Sequence, residues 1–185
     1  MMSALKGFIG EMKLRLAMFF LLGSQYKVLS NVTVKFDNGA TSQIDHVVVS
    51  PYGIFVIEVK NYSGNITIND NSAYWTQSFG HTSYDFYNPL KQNNGHLGAL
   101  RYLLKSKDYP MINVLSFVGR ATFKNSAIPS CMATSVYGTI RLIKSYKDRV
   151  MSPADIIIAY KHIETRRMPN TWRTKRIHLK NVRGS

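Results

Sequence analysis

Apolar residues recur at helical spacing near the start of the chain. They follow each other at three- and four-residue intervals from Ser3 to Leu22, and Gly23 stands where helices commonly end. This pattern predicts a first helix. Its most apolar part, from Leu14 to Gly23, contains Arg15 and is shorter than the ~20 residues that a membrane span needs. We therefore expect a buried helix and no stable membrane insertion, with contact at a membrane surface as the alternative.

The pattern then changes to the alternation that is typical of strands. Residues 26–36 and 42–50 alternate and are separated by the turn signal Asp37-Asn38-Gly39. A second turn, Ser50-Pro51-Tyr52-Gly53, leads into a third alternating run over residues 54–61. We predict three consecutive strands, of which the second and third form an antiparallel hairpin.

Shorter elements follow the hairpin. Residues 65–68 and 74–78 are predicted to be strands, followed by a polar and aromatic loop over 80–88. Pro89 suits the first turn of a helix that runs to about residue 105, and the apolar run 114–118 indicates a buried strand.

A last helix is predicted near the end of the chain. Ser152-Pro153-Ala154-Asp155 combines a capping serine with a proline at the first helical position, and the helix should run to about Glu164. Strands that surround helices predict an α/β fold with a mixed central sheet flanked by helices. At 185 residues and 45% hydrophobic composition, the chain can bury one core, so we expect a single domain over 1–185.

The hairpin register brings acidic side chains together. If residues 51 and 52 are the central turn residues, Asp45 lies opposite Glu58, and Gln43 lies opposite Lys60 on the same face. Carboxylates that face each other on a sheet repel, and a cation between them would relieve that repulsion. The opposite face should carry the apolar residues that a core requires, namely Ile44, Val48, Phe55, Ile57 and Val59.

This arrangement predicts a metal site with a neighbouring amine. Asp45 and Glu58 would hold Mg²⁺ or Mn²⁺, whose hard character favours carboxylate ligands, and Lys60 would orient water or balance transition-state charge. The expected reaction is hydrolysis of a phosphodiester bond. The alternative is a half-exposed hairpin whose acid and amine are merely solvated.

The charge balance favours a polyanionic partner. Lys and Arg total 24 against 10 acidic residues, a formal charge of +14, which attracts nucleic acid or an anionic membrane surface. The basic segment 161–185 is either a mobile arm or an ordered edge. We expect the partner to be nucleic acid, DNA rather than RNA. The residues predicted to contact its phosphates are Gln43 of the hairpin and Arg166, Arg167, Arg173, Lys175 and Arg176 of the basic segment. The alternative for the basic segment is a run of charges that is merely solvated.

Several spaced motifs resemble one known family. Asp45 followed on the next strand by Glu58-Val59-Lys60 is the pattern of the PD-(D/E)XK nuclease superfamily. More specifically, the chain resembles the nuclease-related domain (NERD) family over residues 7–104, in the motifs Gln43-Ile44-Asp45-His46, Gly53-Ile54-Phe55-Val56-Ile57-Glu58-Val59-Lys60-Asn61, Gly64, Trp75, Asn88-Pro89 and Gln92. The resemblance implies a restriction-endonuclease-like core and nuclease activity.

Two further residues enter the predicted site through this resemblance. Gly10-Glu11 matches the family's N-terminal motif, and an acid on the first helix often lies beside the metal in the superfamily, which implies a catalytic role for Glu11. Gln92 would bind a phosphate or a catalytic carboxylate. The alternatives are a solvated acid paired with Arg15 for Glu11 and a helix-surface amide for Gln92.

Some residues have two interpretations that the sequence leaves open. Tyr84, Phe86 and Tyr87 would stack on unpaired bases or anchor their loop. Trp75 is expected to pack on the sheet, and His46 to be a packed histidine. His96 lies one helical turn after Gln92 and can face the same cleft.

The sequence also leaves two alternative functions open and indicates a cellular location. A binding module that keeps the nuclease scaffold without cutting is the first rival, and a membrane-surface or scaffolding protein is the second. Cys131 has no second cysteine to pair with and no leader pattern is visible, so a cytoplasmic setting is expected. A homodimer stays open, because many nucleases cut both strands as dimers.

Overall fold

The computed structural model describes residues 2–105, 108–124 and 128–183, and their side chains except those of residues 2–4, 175, 182 and 183. These residues form five helices and nine strands. The helices are α1 (Met2–Leu21), α2 (Pro89–Leu104), α3 (Val136–Ser145), α4 (Pro153–Arg166) and α5 (Trp172–Arg183). The strands are β1 (Lys27–Lys35), β2 (Thr41–Ser50), β3 (Gly53–Lys60), β4 (Ser63–Thr67), β5 (Tyr74–Phe79), β6 (Thr82–Tyr87), β7 (Met111–Phe117), β8 (Arg120–Lys124) and β9 (Met132–Ala133).

The strands make two mixed sheets. The larger has the order β1-β2-β3-β7-β9, in which β2 runs antiparallel to both β1 and β3, while β7 runs parallel to β3 and β9 parallel to β7. The smaller has the order β6-β5-β4-β8, with β8 parallel to β4. The predicted α/β class with a mixed central sheet flanked by helices is confirmed, and the second sheet is an addition to it.

Helices cover both faces of the larger sheet. One apolar cluster joins it to α2 and α4, and another joins it to α1 and α3. A third cluster lies between the smaller sheet and strands β7 and β9 of the larger one. Its centre is Trp75, which is fully buried and stacks on Phe117, as expected for a tryptophan that packs on a sheet.

Helix α1 is buried on one side only, which corrects the prediction of a buried helix. Leu14, Met18 and Leu22 pack into the core, whereas Phe19 and Phe20 are 77% and 74% exposed. Within the described residues, no helix combines the length and the apolar character that crossing a membrane would require.

One prediction about an irregular segment was wrong, and one open alternative is now decided. The segment 80–88 contains β6, whose side chains are nearly all exposed, so no buried face produced a visible alternation. The basic segment is ordered in its described part, which was the second of its two alternatives, because α5 packs against β2. The Nδ1 atom of His178 lies 3.0 Å from Thr41 Oγ1, and Asn181 Nδ2 donates to the Gly39 carbonyl at 3.0 Å. The strands β8 and β9 and the helices α3 and α5 were not predicted.

The β2–β3 hairpin has the predicted register from Ser50–Gly53 to His46–Ile57. Its face assignment was wrong at Ile44, which packs with Val47 in the α2–α4 cluster rather than on the opposite face. The reason is a change of phase beside Asp45: β1 and β2 skip the Asn31–Asp45 pair, and Asn31 adopts a left-handed φ of 52°.

Buried asparagines fix α2 against the sheet. Asn88 caps the helix by accepting from the Leu90 amide at 2.9 Å, and it explains the Asn88-Pro89 motif as a helix start. Asn93 is fully buried and donates to the Val56 carbonyl at 2.9 Å and to Asn113 Oδ1 at 2.7 Å. These contacts set the position of the helix that carries Gln92 and His96.

We expect Asn93→Ala to lower the free energy of unfolding by about 2 kcal/mol, because buried acceptors lose their donor. Urea denaturation followed by circular dichroism measures the change. The control Asn71→Ala alters an exposed amide in the turn before β5 and should cost no more than about 0.5 kcal/mol. Equal losses in the two variants would contradict the role given to Asn93.

Candidate active site

Asp45 lies where β2 and β3 stop pairing. The hairpin ladder ends at His46–Ile57, so Asp45 and Glu58 do not form the next paired position that the sequence predicted. Instead, Asp45 Oδ2 accepts a hydrogen bond from the Val59 amide at 2.8 Å. The carboxylate thus takes the place of a strand carbonyl and lies in the opening between the two strands.

Glu58 and Lys60 project together from the end of β3, as their spacing predicted. Lys60 Nζ donates to Glu58 Oε1 at 2.6 Å and to Gln92 Oε1 at 2.9 Å. Only 4% of the Glu58 side chain and 15% of the Lys60 side chain are exposed. A buried ion pair of this kind is costly unless further hydrogen bonds support it, and Gln92 supplies one of them.

His96 contacts the second oxygen of the same carboxylate. Its Nε2 atom lies 3.2 Å from Glu58 Oε2, and its Nδ1 atom lies 2.8 Å from Ser42 Oγ. The site therefore includes His96 and Ser42, neither of which was among the predicted site residues. The one-turn spacing from Gln92 to His96 was the available signal for the histidine, whereas nothing in the sequence pointed to Ser42.

The surroundings of the two carboxylates shift their pKa values in opposite directions. Burial, the Glu58 charge and the Glu11 charge raise the pKa of Asp45 well above its ordinary value, against the Val59 amide and Lys60. Burial alone would raise the pKa of Glu58, but the His96 ring beside its Oε2 atom and the charge of Lys60 lower it overall. Burial opposes the charged form of Lys60, yet Glu58 raises its pKa. The surroundings therefore favour the ionised forms of Glu58 and Lys60 and oppose the ionised form of Asp45.

Helix α1 brings Glu11 close enough for its charge to act on Asp45. Beneath the same helix, His46 is packed as expected, with Nδ1 2.9 Å from Ser30 Oγ. Burial and Arg15 lower the pKa of His46 to about 4, against a hydrogen bond with the Glu11 backbone, so the ring is neutral at physiological pH.

The predicted nucleic-acid contacts separate into two groups. Gln43 Nε2 donates to Asn31 Oδ1 at 3.4 Å, Arg166 donates to the Leu103 carbonyl at 3.2 Å, and Arg167 donates to the Ser30 carbonyl at 3.1 Å. These side chains tie elements of the fold together. Arg173 and Arg176 are exposed on α5, and the Lys175 side chain lies outside the described residues.

Helix α5 borders the site, which the sequence did not indicate. Burial and the nearby His96 lower the pKa of His178, against its hydrogen bond to Thr41. His178 contacts Thr41, and the next residue of β2, Ser42, contacts His96, so α5 lies near the Glu58–His96 contact. The exposed arginines of α5 are therefore attached to an element that flanks the carboxylates.

The aromatic residues of β6 also divide. Phe86 is half-buried and packs edge-on against Tyr62 and Trp75, so it anchors the sheet. Tyr87 packs edge-on against Tyr74. Tyr84 is 59% exposed and lines a groove that reaches Lys60.

The donor set fits a hard divalent cation. Asp45 Oδ2 is bound to the amide of Val59, the residue that follows Glu58, and Glu58 Oε2 is buried without a well-formed hydrogen bond among the described residues. Within those residues, no group of three or more His, Cys, Asp or Glu side chains is arranged to hold a metal. A cation here would take its remaining ligands from water, backbone and phosphate oxygens, as Mg²⁺ commonly does.

We expect Asp45→Asn to raise the free energy of unfolding at neutral pH when no divalent cation is present. Native Asp45 holds its proton more tightly than the unfolded chain does, so the wild type loses stability as the pH rises above the ordinary carboxyl pKa. The gain in the variant should vanish at a pH below that value, where both states are protonated.

Denaturant titrations across pH in EDTA measure this difference. The control Asp37→Asn removes an exposed carboxylate from the β1–β2 turn and should give no such gain. An Asp45→Asn variant less stable than the wild type at neutral pH would mean that the ionised carboxylate stabilises the fold.

Comparison with known proteins identifies the family. The family model "Nuclease-related domain" matches residues 6–118. The chain is also 34% identical over 145 residues to an uncharacterized protein of Bacillus anthracis, a match that covers 77% of this chain and 68% of that protein. No solved structure matches the chain significantly. The protein belongs to the nuclease-related domain family, which confirms the resemblance predicted from the sequence.

Proposed function

We propose that this protein is a metal-dependent nuclease that hydrolyses phosphodiester bonds, with DNA as the substrate. The observation that carries the proposal is the buried group formed by Asp45, Glu58 and Lys60 at the end of a hairpin. Folding keeps two carboxylates and an amine together there at a cost in desolvation, and structural need alone does not account for it.

Asp45 and Glu58 would hold Mg²⁺ or Mn²⁺. The bound cation would supply positive charge that polarises the phosphodiester and makes water a better nucleophile. Its charge would also favour ionisation of Asp45, which burial and the neighbouring acids oppose. The two carboxylates are thus already held in place before a cation binds.

Lys60 has the position and charge to act on the reacting phosphate. Its ammonium group is held by Glu58 Oε1 and Gln92 Oε1, which leaves one N–H for a phosphate oxygen or an attacking water. Gln92 is a positioning residue for that ammonium group. The charge of Glu11 acts on Asp45 and would strengthen the attraction of the site for a cation.

The C-terminal helices belong to the same proposed unit. Helix α4 is held to β1 through Arg167 and to the end of α2 through Arg166, and α5 lies on β2. We therefore propose a single nuclease-related domain over residues 1–185. In this arrangement Arg173 and Arg176 contact the phosphates of nucleic acid bound at the site.

We expect Glu58→Gln and Lys60→Met each to reduce metal-dependent cleavage at least about 100-fold, because both remove charge that acts on the reacting phosphate. Labelled single-stranded, duplex and circular DNA and RNA, incubated with Mg²⁺, Mn²⁺ or EDTA, provide the assay. Circular dichroism and thermal unfolding establish that the variants fold.

Matched controls separate this effect from a general loss of charge. Glu164→Gln alters an exposed carboxylate on α4, and Lys91→Met alters an exposed lysine one residue before Gln92. Both should retain activity. Absence of products from the wild type with either metal, despite tight salt-sensitive binding of nucleic acid, would instead select the binding-module function.

Replacing Arg173 and Arg176 together with alanine should weaken binding equally for all sequences. The slope of log affinity against log salt concentration should fall by roughly 2, about one for each phosphate that an arginine no longer neutralises. Fluorescence anisotropy at several salt concentrations measures the slope. The control removes the same charge from α3, in Arg141→Ala with Lys144→Ala, and an equal fall there would remove α5 as the specific phosphate-binding element.

A further inference from the structure

A groove opens beside Lys60 at the junction of the two sheets. It has a volume of about 430 Å³, within the range of sites that hold small ligands. One wall is the beginning of α1 and the other is the smaller sheet, while the segment after β3 forms the floor. Its lining includes Lys6, Lys60, Tyr62, Gln77, Phe79 and Tyr84.

Two glycines of the family motifs shape this groove. Gly64 has a φ of 79°, and a Cβ added there would lie 2.6 Å from Phe79 Cε1, so the Phe79 ring rests directly on the β4 backbone. A Cβ on Gly10 would lie 2.8 Å from Asn61 Cβ, so α1 can approach the groove floor only without a side chain there. Asn61 Nδ2 completes the contact by donating to the Lys6 carbonyl at 2.6 Å.

The groove combines open aromatic surface with positive charge. Tyr84 is 59% exposed and Phe79 is 44% exposed, whereas Tyr62 is half-buried and packs edge-on against Phe86. Lys6 and Lys60 are the charged residues among those that line it, and both are cationic. Exposed aromatic rings beside lysines are the combination that binds successive bases and phosphates of a single strand.

We propose that this groove binds unpaired nucleobases next to the phosphate that is cut, so that the substrate is single-stranded nucleic acid or a duplex with an unpaired segment. Tyr84 and Phe79 stack on the bases, and Lys6 contacts the backbone. The proposal rests on the proposed nuclease function for the step that follows binding. Duplex bases are paired and stacked on each other, and their faces are not available to these rings.

Binding of labelled oligothymidylate and of a blunt hairpin duplex of equal charge, measured by anisotropy in EDTA, tests the groove without any cleavage. Tyr84→Ala should weaken binding of the single strand roughly tenfold and change duplex binding much less, because the variant has no ring at this position to stack on a base. Tyr84→Phe should retain the affinity, because the ring remains. Tyr137→Ala, which removes a tyrosine of similar exposure from α3, is the matched control.

The outcomes distinguish this inference from the nuclease function. Equal affinities of wild type and Tyr84→Ala for the single strand, in a protein that cuts DNA, would overturn the proposed role of the groove but not the proposed nuclease function. Selective weakening of single-strand binding in Tyr84→Ala, in a protein that cuts nothing with either metal, would support the proposed role of the groove and overturn the proposed nuclease function. A similar weakening in Tyr137→Ala would also overturn the groove, because the effect would not be local.

Discussion

The buried ion pair between Glu58 and Lys60 is the interaction on which the rest of the site depends. Removing two charges from water is costly, and their attraction offsets that cost only when other groups satisfy the remaining donors and acceptors. Gln92 accepts from Lys60, and His96 approaches the second Glu58 oxygen. Both lie on α2, whose place is set by Asn93 beneath it. Helix α2 therefore stabilises the ion pair at the end of β3, and the site depends on the position of this helix.

The second constraint is the opening between β2 and β3. Asn31 takes a left-handed conformation, the β1–β2 pairing skips Asp45, and the β2–β3 ladder ends at the next residue. The Asp45 carboxylate then accepts the hydrogen bond from the Val59 amide, which a backbone carbonyl would accept in a continuous pair of strands. Local loss of pairing thus brings Asp45 beside Glu58 without a break in the core. Such departures from regular sheet geometry commonly occur where a fold carries function.

The sequence predicted those parts of this arrangement that depend on local pattern. Turn chemistry and alternation set the hairpin register, and the two-residue spacing placed Glu58 and Lys60 together. Ile44 was assigned to the wrong face because the phase change depends on the backbone at Asn31, which alternation does not reveal. β6 was missed because neither of its faces is buried, and α5 because its charge hid the apolar contacts. Ser42 reaches the site only through the packing of α2 on β2, a tertiary contact that leaves no mark in the sequence.

The two oxygens of Glu58 face the two features that would receive a polyanion. Oε1 contacts Lys60, which lines the aromatic groove, and Oε2 lies near His96, beside which α5 packs. Phosphate contacts from α5 would add affinity without reading sequence, while stacking in the groove requires only an exposed base face. The proposed selectivity is therefore for the state of the strand, paired or unpaired, rather than for its sequence.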